Sequence, residues 1–294
     1  MRVADISSYR NFLLATARNR ETAARANLEI ATGKRLLKPS DDPAGVSAAL
    51  NNRAELALIE QHQRAVASAT DELTAADSAI DHYENLLIRA KTLISRGISD
   101  PNSAASREAL ATEIDSLRQA AINVANTQFA GHFIFAGSRS TTPPYTETGG
   151  VVSYKGDDRA LLVRVSGQAV VQYNVIGQEL FGQSPGVFDT LARAASALRQ
   201  ADKAELQRNL DELEAASNTA AQARTRVGAT LNFLSAISDR LTSENLAFSE
   251  RASKLEAADL VEAITRFQQA QQAVEAGLAA GAKILNVSLL DFLG

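Results

Sequence analysis

The chain contains no cysteine and no tryptophan, a single methionine and six prolines, and aromatic residues fill only 5% of its 294 positions. Lack of cysteine excludes disulfides, thiolate catalysis and cysteine-ligated zinc; it permits an extracellular life without requiring one. With few aromatics and an apolar set dominated by alanine, the interior suits close helix–helix seams better than a wide globular core. No run of about 18 apolar residues occurs, so no membrane-spanning helix is expected. The net charge is −4 and no stretch the size of a domain is strongly basic, which argues against a nucleic-acid partner.

Residues Met1 to Ala17 lack the apolar block and cleavage site of a secretory signal; Tyr9, Arg10 and Asn11 stand where that block would be, so any export is expected to cleave nothing. The opening is basic, with Arg2, Arg10, Arg18, Arg20, Arg25, Lys34, Arg35 and Lys38 against Asp5, Glu21 and Glu29. Organellar transit peptides share that balance, but a heptad-patterned C-terminus offers this helix a partner and a better explanation.

What the chain has is long apolar periodicity. Ile59, Val66, Leu73, Ile80, Leu87 and Ile94 recur at a seven-residue interval, and His62, Ala69, Ala76, Tyr83 and Ala90 fill a second row three residues on. Alternation of large and small residues at this spacing predicts a helix packed along a seam. Neither proline nor glycine interrupts the segment between Gly45 and Gly97, so the unbroken helix would be roughly 75 Å long at about 1.5 Å per residue.

Before it, Val3 to about Ala31 reads as an amphipathic helix with Ile6, Leu13, Ala17, Ala24, Leu28 and Ala31 on one side, closed by Gly33 as a left-handed cap. Pro39 and Pro43 then bar a continuous helix, and Ser40, Asp41 or Asp42 can cap the next, with Pro43 in its first turn and Gly45 just inside. After it, Gly97 to Ser103, with Asp100-Pro101-Asn102, predicts a break, and Leu110, Ile114, Leu117, Ala121, Val124 and Gln128 predict a third helix returning antiparallel.

From Gly131 the pattern becomes β-like. His132-Phe-Ile-Phe135 is apolar, and Val152 with Tyr154, Val163 with Val165, and Ala169 to Val175 alternate with polar residues between glycine-containing turns, predicting a small β-hairpin insertion. Helical pattern resumes at Val187. After Asp202 it forms a second long stripe: Leu206, Leu210, Leu213, Ser217, Ala220, Arg224, Val227, Leu231, Leu234, Ser238 and Leu241, on to Leu255. The phase slips near Glu256 to Asp259, and Leu260, Ile264, Phe267, Gln271, Val274, Leu278, Gly281, Leu285, Ser288 and Phe292 form a new heptad, so the helix is expected to bend or change neighbours there.

The expected architecture is therefore mainly α: an elongated antiparallel long-helix bundle with paired N- and C-terminal helices and a small β-hairpin insertion. The domains expected are residues 1–40 plus 257–294, a terminal coiled-coil domain; 41–130 plus 187–256, a long-helix body; and 131–186, a small β-rich outer domain. The basic first helix is expected to face an acidic last one, in which Glu256, Asp259, Glu262, Glu275 and Asp291 outnumber Lys254, Arg266 and Lys283. A two-helix coil with so thin a stripe is weak alone, so the ends are expected to be loose in the free protein and ordered in an assembly.

Catalytic chemistry has little to rest on. His62, His82 and His132 match no metal-ligand spacing, Asp41-Asp42 and Asp157-Asp158 sit in turns where capping explains them, and Thr32-Gly33-Lys34 lacks the strand and upstream glycine of a phosphate loop. No enzyme activity, cofactor or metal is expected. A hydrolase or metalloenzyme carried on a helical scaffold is the reading of a different class.

Ala31-Thr-Gly-Lys-Arg-Leu-Leu-Lys-Pro-Ser-Asp-Asp-Pro-Ala-Gly45 resembles the segment joining the innermost helix to the next domain in bacterial flagellins and their relatives. Asn126-Thr-Gln-Phe-Ala-Gly131 and Ser288-Leu-Leu-Asp-Phe-Leu293 are also similar to that superfamily. Within it, His132 to Tyr145 and Tyr154-Lys-Gly-Asp-Asp158 resemble the hook-associated protein 3 branch, which forms the hook–filament junction, more than filament flagellin. The resemblance implies a flagellin-like fold and a subunit that leaves uncleaved through the flagellar type III apparatus with an export chaperone. Outside the cell it implies a ring-like or helical layer of like subunits at the hook–filament junction, between hook-associated protein 1 and flagellin. It implies that Ile6, Leu13, Leu28, Leu260, Ile264, Phe267, Val274, Leu278, Leu285 and Phe292 lie on assembly helices, and that Gly33, Pro39, Ser40, Asp41, Asp42, Pro43 and Gly45 form an interdomain hinge. The alternative within the superfamily is flagellin, the filament subunit itself.

Overall fold

The computed structural model describes residues 2–99, 103–167, 169–182 and 186–293; the side chains at 2–6, 8, 9 and 283–293 lie outside the description. Thirteen elements follow in order: α1 (Arg2–Thr32), α2 (Pro43–Ser99), α3 (Ala104–Ala125), β1 (Gln128–Phe129), β2 (His132–Phe133), β3 (Tyr145–Thr148), β4 (Val151–Tyr154), β5 (Leu162–Arg164), β6 (Val170–Gln172), α4 (Gly177–Phe181), α5 (Val187–Gln200), α6 (Lys203–Glu256) and α7 (Leu260–Leu293). The chain is mainly helical, with α2 of 57 residues and α6 of 54 residues dominating. Packing divides it into two compact units, one of residues 1–58 with 244–294 and one of 59–243.

In the unit of residues 59–243, the α2 heptad forms the core. Every member of both rows is buried, from Ile59 and His62 to Ala90 and Ile94. On α6 the row Leu206, Leu213, Ala220, Val227, Leu234 and Leu241 is buried as well. The second row differs from expectation. Leu210, Ser217, Arg224 and Leu231 are only part-covered and Ser238 is exposed, whereas Asn209, Ala223 and Ile237, three residues after the main row, are buried. The long Arg224 side chain turns to the rim of the seam, where it pairs with Asp77 (3.2 Å), Asp81 (2.6 Å) and Glu84 (3.1 Å) of α2.

Gly97 does not break α2, which continues to Ser99; the expected break at Asp100-Pro101-Asn102 lies outside the described residues. Gly97 instead serves close packing, since a β-carbon there would stand 2.3 Å from Leu198 Cδ2 of α5. Ser103 caps α3 by accepting from the Ser106 amide at 3.2 Å. Helix α3 ends at Ala125, so Gln128 belongs to β1 and not to the helix. Its buried line is Ala111, Ile114, Ala121, Ile122 and Ala125, which lets small residues approach α5, while Leu110, Leu117 and Val124 are part-exposed.

The β segment forms three separate antiparallel pairs, β1–β2, β3–β4 and β5–β6, rather than one sheet. Two-stranded hairpins with strands of two to four residues cannot stand alone in water, so they need an apolar anchor. Phe181 at the end of α4 provides it, with ring centroids 4.7 Å from Tyr83, 5.2 Å from Phe135, 5.6 Å from Tyr145 and 6.0 Å from Phe188. The scarce aromatics are thus concentrated where the hairpins meet the helices.

Candidate assembly interface

In the unit of residues 1–58 and 244–294, the site is built around two chain crossings lying side by side. Gly33 takes φ +66° and its amide donates to the Glu29 carbonyl (2.9 Å), closing α1 as glycine does without a side-chain penalty. The chain then pairs briefly with the break after α6: Arg35 N donates to Glu256 O (2.8 Å) and Ala258 N to Gly33 O (2.9 Å), with Lys34 opposite Ala257 in an antiparallel bridge. At the phase slip α6 does not bend but stops. Asp259 opens α7 by accepting from the amides of Val261 (3.0 Å) and Glu262 (3.1 Å).

Most of the expected hinge residues have a local duty. Asp41 Oδ2 accepts from the amides of Leu37 (3.2 Å) and Lys38 (2.9 Å), and Arg25 lies 3.2 Å from its other oxygen. The Lys38 amide is the largest cause of a carboxyl held below its ordinary value. Asp42 caps α2 by accepting from the Gly45 amide (2.9 Å), and Pro43 begins the helix. Gly45 gives that cap room, since a β-carbon would meet Asp42 Oδ2 at 2.3 Å. Pro39 and Ser40 are exposed on the connecting turn.

Two ion-pair groups brace the crossings, and sequence pattern did not single them out. Glu256 is buried and pairs with Arg53 (2.5 Å) and Lys34 (3.2 Å); chiefly the hydrogen bond from Arg53 lowers its carboxyl. Glu29, buried on α1, pairs with Arg25 (3.2 Å) and with Arg266 of α7 (2.7 Å). The expected charge complementarity is met by Lys34 with Glu256, whereas between α1 and α7 the described pair is inverted, with the acid Glu29 on the basic helix and the base Arg266 on the acidic one. Net charge counts solvated residues, whereas the seam selects the few that reach across.

Helices α1 and α7 pack antiparallel, as Thr16 near Gly277, Phe12 near Gly281 and Glu29 against Arg266 require. Their seam is made of small residues. Thr16, Ala26, Ala263, Ala270 and Gly281 are buried, and a β-carbon on Gly281 would lie 2.6 Å from the Phe12 ring. The expected row Phe267, Val274 and Gly281 does face α1, at least in part; its companion Ile264, Gln271 and Leu278 does not, and Ala263, Ala270 and Gly277 take its place. A seven-residue recurrence of Ala263, Ala270 and Gly277 was the available signal, masked by the larger residues beside it. On α1 the expected stripe points outward too, with Ala17, Ala24 and Ala31 exposed.

Large apolar side chains are consequently left uncovered in this unit. Leu13, Leu28, Leu260, Ile264 and Leu278 are each 44–51% exposed, Leu14 is 54% exposed and Val261 77% exposed. Ile6, Leu285 and Phe292 lie where side chains are not described. This helix pair thus seals itself through alanine and glycine while leaving leucines exposed.

The residues with possible chemistry are placed otherwise. His62 is buried with Nδ1 3.2 Å from the Arg164 carbonyl, His82 is exposed, and His132 pairs with Glu72. Asp157 holds the turn before it, accepting from the Ser138 amide (2.7 Å) and hydroxyl, which draw its carboxyl below the ordinary value, hydroxyl foremost. Among the described residues no group of three or more His, Asp and Glu converges as a metal site would require.

Comparison with known proteins fits this architecture. The family profile described as bacterial flagellin N-terminal helical region matches residues 6–140, and that described as bacterial flagellin C-terminal helical region matches residues 210–293. Flagellar hook-associated protein 3 of Escherichia coli is 25% identical over 288 residues, covering 90% of this chain and 90% of its own. Flagellin B of Helicobacter pylori is 28% identical over 137 residues, which is 46% of this chain but 26% of its own. The crystal structure of Bacillus cereus FlgL is 25% identical, with a TM-score of 0.61, covering 69% of this chain and 99% of that one. With its N-terminal and C-terminal helical regions both matched in order on either side of the β segment, the chain belongs to the bacterial flagellin family.

Proposed function

We propose that this chain is a structural subunit of the bacterial flagellum that forms the junction between hook and filament. The observation that carries the reading is the end-to-end similarity to a hook-associated protein 3, which spans 90% of both chains, whereas the similarity to flagellin B spans 26% of that protein. In this reading the paired α1 and α7, residues 1–40 and 257–294, form the inner layer of the assembly, the long helices the next, and residues 131–186 the outer surface. Leu13, Leu28, Leu260, Ile264 and Leu278, with Ile6, Phe267, Val274, Leu285 and Phe292, belong to the faces that neighbouring subunits cover. The turn from Gly33 to Gly45 sets the direction in which the inner pair leaves the body.

The partners proposed are hook-associated protein 1 on one side, flagellin on the other and further copies of this chain beside it. The proposed route is uncleaved export through the type III apparatus, with an export chaperone holding the exposed leucines until assembly. The role proposed is mechanical rather than enzymatic, carried by helices that neighbouring subunits cover.

Electron microscopy of a strain deleted for this chain tests the reading. Bare hooks with unpolymerised flagellin accumulating in the medium are expected; filaments of normal length on the hooks of that strain would overturn it.

A further inference from the structure

The β5–β6 hairpin has one edge tied to α2 and one edge free. Its register sets Leu162 opposite Gln172, Val163 opposite Val171 and Arg164 opposite Val170. The flanking bonds, Tyr173 N to Leu161 O (3.1 Å) and Val165 N to Ala169 O (3.0 Å), fix which residues face inward. By the alternation of an antiparallel ladder, the backbone groups of Leu162 and Arg164 point out on one side and those of Val170 and Gln172 on the other. On the β5 side the Arg164 carbonyl meets Nδ1 of His62 at 3.2 Å. On the β6 side no described residue bonds the main-chain groups of Val170 or Gln172. Natural sheets blunt such an edge with proline, lysine or a bulge, and Ala169 to Gln172 has none of these.

Beside the free edge lies a cleft of about 500 Å³, between the segment from Gln172 to Ile176 and the α6 stretch from Ala223 to Thr230. Its apolar lining is Leu73, Ile176, Ala223 and Val227, all buried. Arg226 and Glu179 also line it, both exposed and 3.8 Å apart. Phe233, 47% exposed, continues this face of α6 one turn beyond Ala229. The volume is that of a ligand pocket, but the walls are a strand edge and a helix, which suit a peptide backbone better than a compact molecule. Side chains alternate along an added strand, so every second one would enter the apolar lining and those between would face Arg226 and Glu179.

We propose that this cleft takes an extended peptide segment as a third strand beside β6, with small apolar side chains on its floor and an acidic one opposite Arg226. The acid takes over from Glu179, since a surface pair 3.8 Å apart is readily exchanged for a closer one. Backbone bonds to Val170 and Gln172 supply the affinity, and the alternating side chains supply the selectivity. The site lies within the unit of residues 59–243, apart from the α1 and α7 faces proposed to meet neighbouring subunits, and it stands whether or not the chain serves at the junction.

The probe is the peptide acetyl-Thr-Val-Glu-Val-Thr-amide, added to the full-length chain while amide exchange is followed by NMR. Exchange at Val170 and Gln172 is expected to slow about tenfold once the peptide exceeds its dissociation constant about ninefold, with Val163 and Val171, already in the ladder, little changed. Arg226→Glu should weaken binding about fivefold and restore it for the peptide with lysine in place of glutamate. Val170→Pro removes one outward N–H and no ladder bond, so it should weaken binding as well. Exchange at Val170 and Gln172 that ignores the peptide up to its solubility limit, or binding unchanged in both variants, overturns the proposal. Protection that rises instead with the concentration of the chain alone would give the edge to a second copy and overturn it too. Should Val170→Pro lose the native far-ultraviolet circular dichroism, Arg226→Glu, altered at an exposed helix position, decides.

Discussion

Glu256 shows how one side chain holds two chain breaks together. It carries the last backbone carbonyl before the break, which accepts from Arg35, and a carboxylate shared by Arg53 and Lys34. Its carboxyl is lowered, above all by Arg53, so the stability it contributes is fully present above the ordinary value of 4.5 and is lost as pH falls through the lowered value. Asp41 has the same sign through its amide donors. Exchange of the Arg35 and Ala258 amides, which bridge the two breaks, is therefore expected to accelerate below about pH 4.5 in the native chain. Replacing Glu256 by Gln should destabilise the crossing by about 1–2 kcal/mol at neutral pH, because two half-exposed cations lose their partner, and should flatten the acid dependence. An acid profile unchanged in Glu256→Gln would show that other carboxylates hold the crossing.

Among the elements, legibility followed side-chain size. On α2 the large branched residues of the heptad are buried, while Leu58 and Ile88, which fall off it, are exposed, so the seven-residue spacing from Ile59 to Ile94 marks the core. On α7 the relation inverts: Ala263, Ala270 and Gly281 are buried while Leu260, Ile264 and Leu278 are exposed, so the same rule named the outward face as the seam. Apolar size identifies burial only when the burying partner is in the same chain. The turn from Gly33 to Asp42 was readable because proline, glycine and aspartate have narrow local duties, whereas Glu29 with Arg266 was not, since a pair 237 residues apart leaves no local pattern. The close α1–α7 seam makes a sharp prediction. Gly281→Val forces a branched side chain against the Phe12 ring and should cost the helix pair about 1–3 kcal/mol, seen as faster exchange in both helices with the 59–243 unit unchanged. Equal protection in the variant would mean that the seam is not closed there.

For the whole molecule, the two units have different chemical tasks. The unit of residues 59–243 buries both α2 heptad rows and gathers its aromatics around Phe181, although Ile88, Leu162 and Phe233 stay exposed. The unit of residues 1–58 and 244–294 joins two long helices through small residues and leaves leucines uncovered, a surface proposed above to be covered by neighbouring subunits. The proposed assembly through the ends would cover leucines that the seam is too small to hide and that solvent penalises leaving exposed. A map of the native hook–filament junction by electron cryomicroscopy tests this most directly. Density for α1 and α7 is expected in the innermost layer, with Leu13, Leu28, Ile264 and Leu278 packed against neighbouring subunits. Those leucines facing open solvent at the junction, or the junction contacts residing only in residues 59–243, would contradict it.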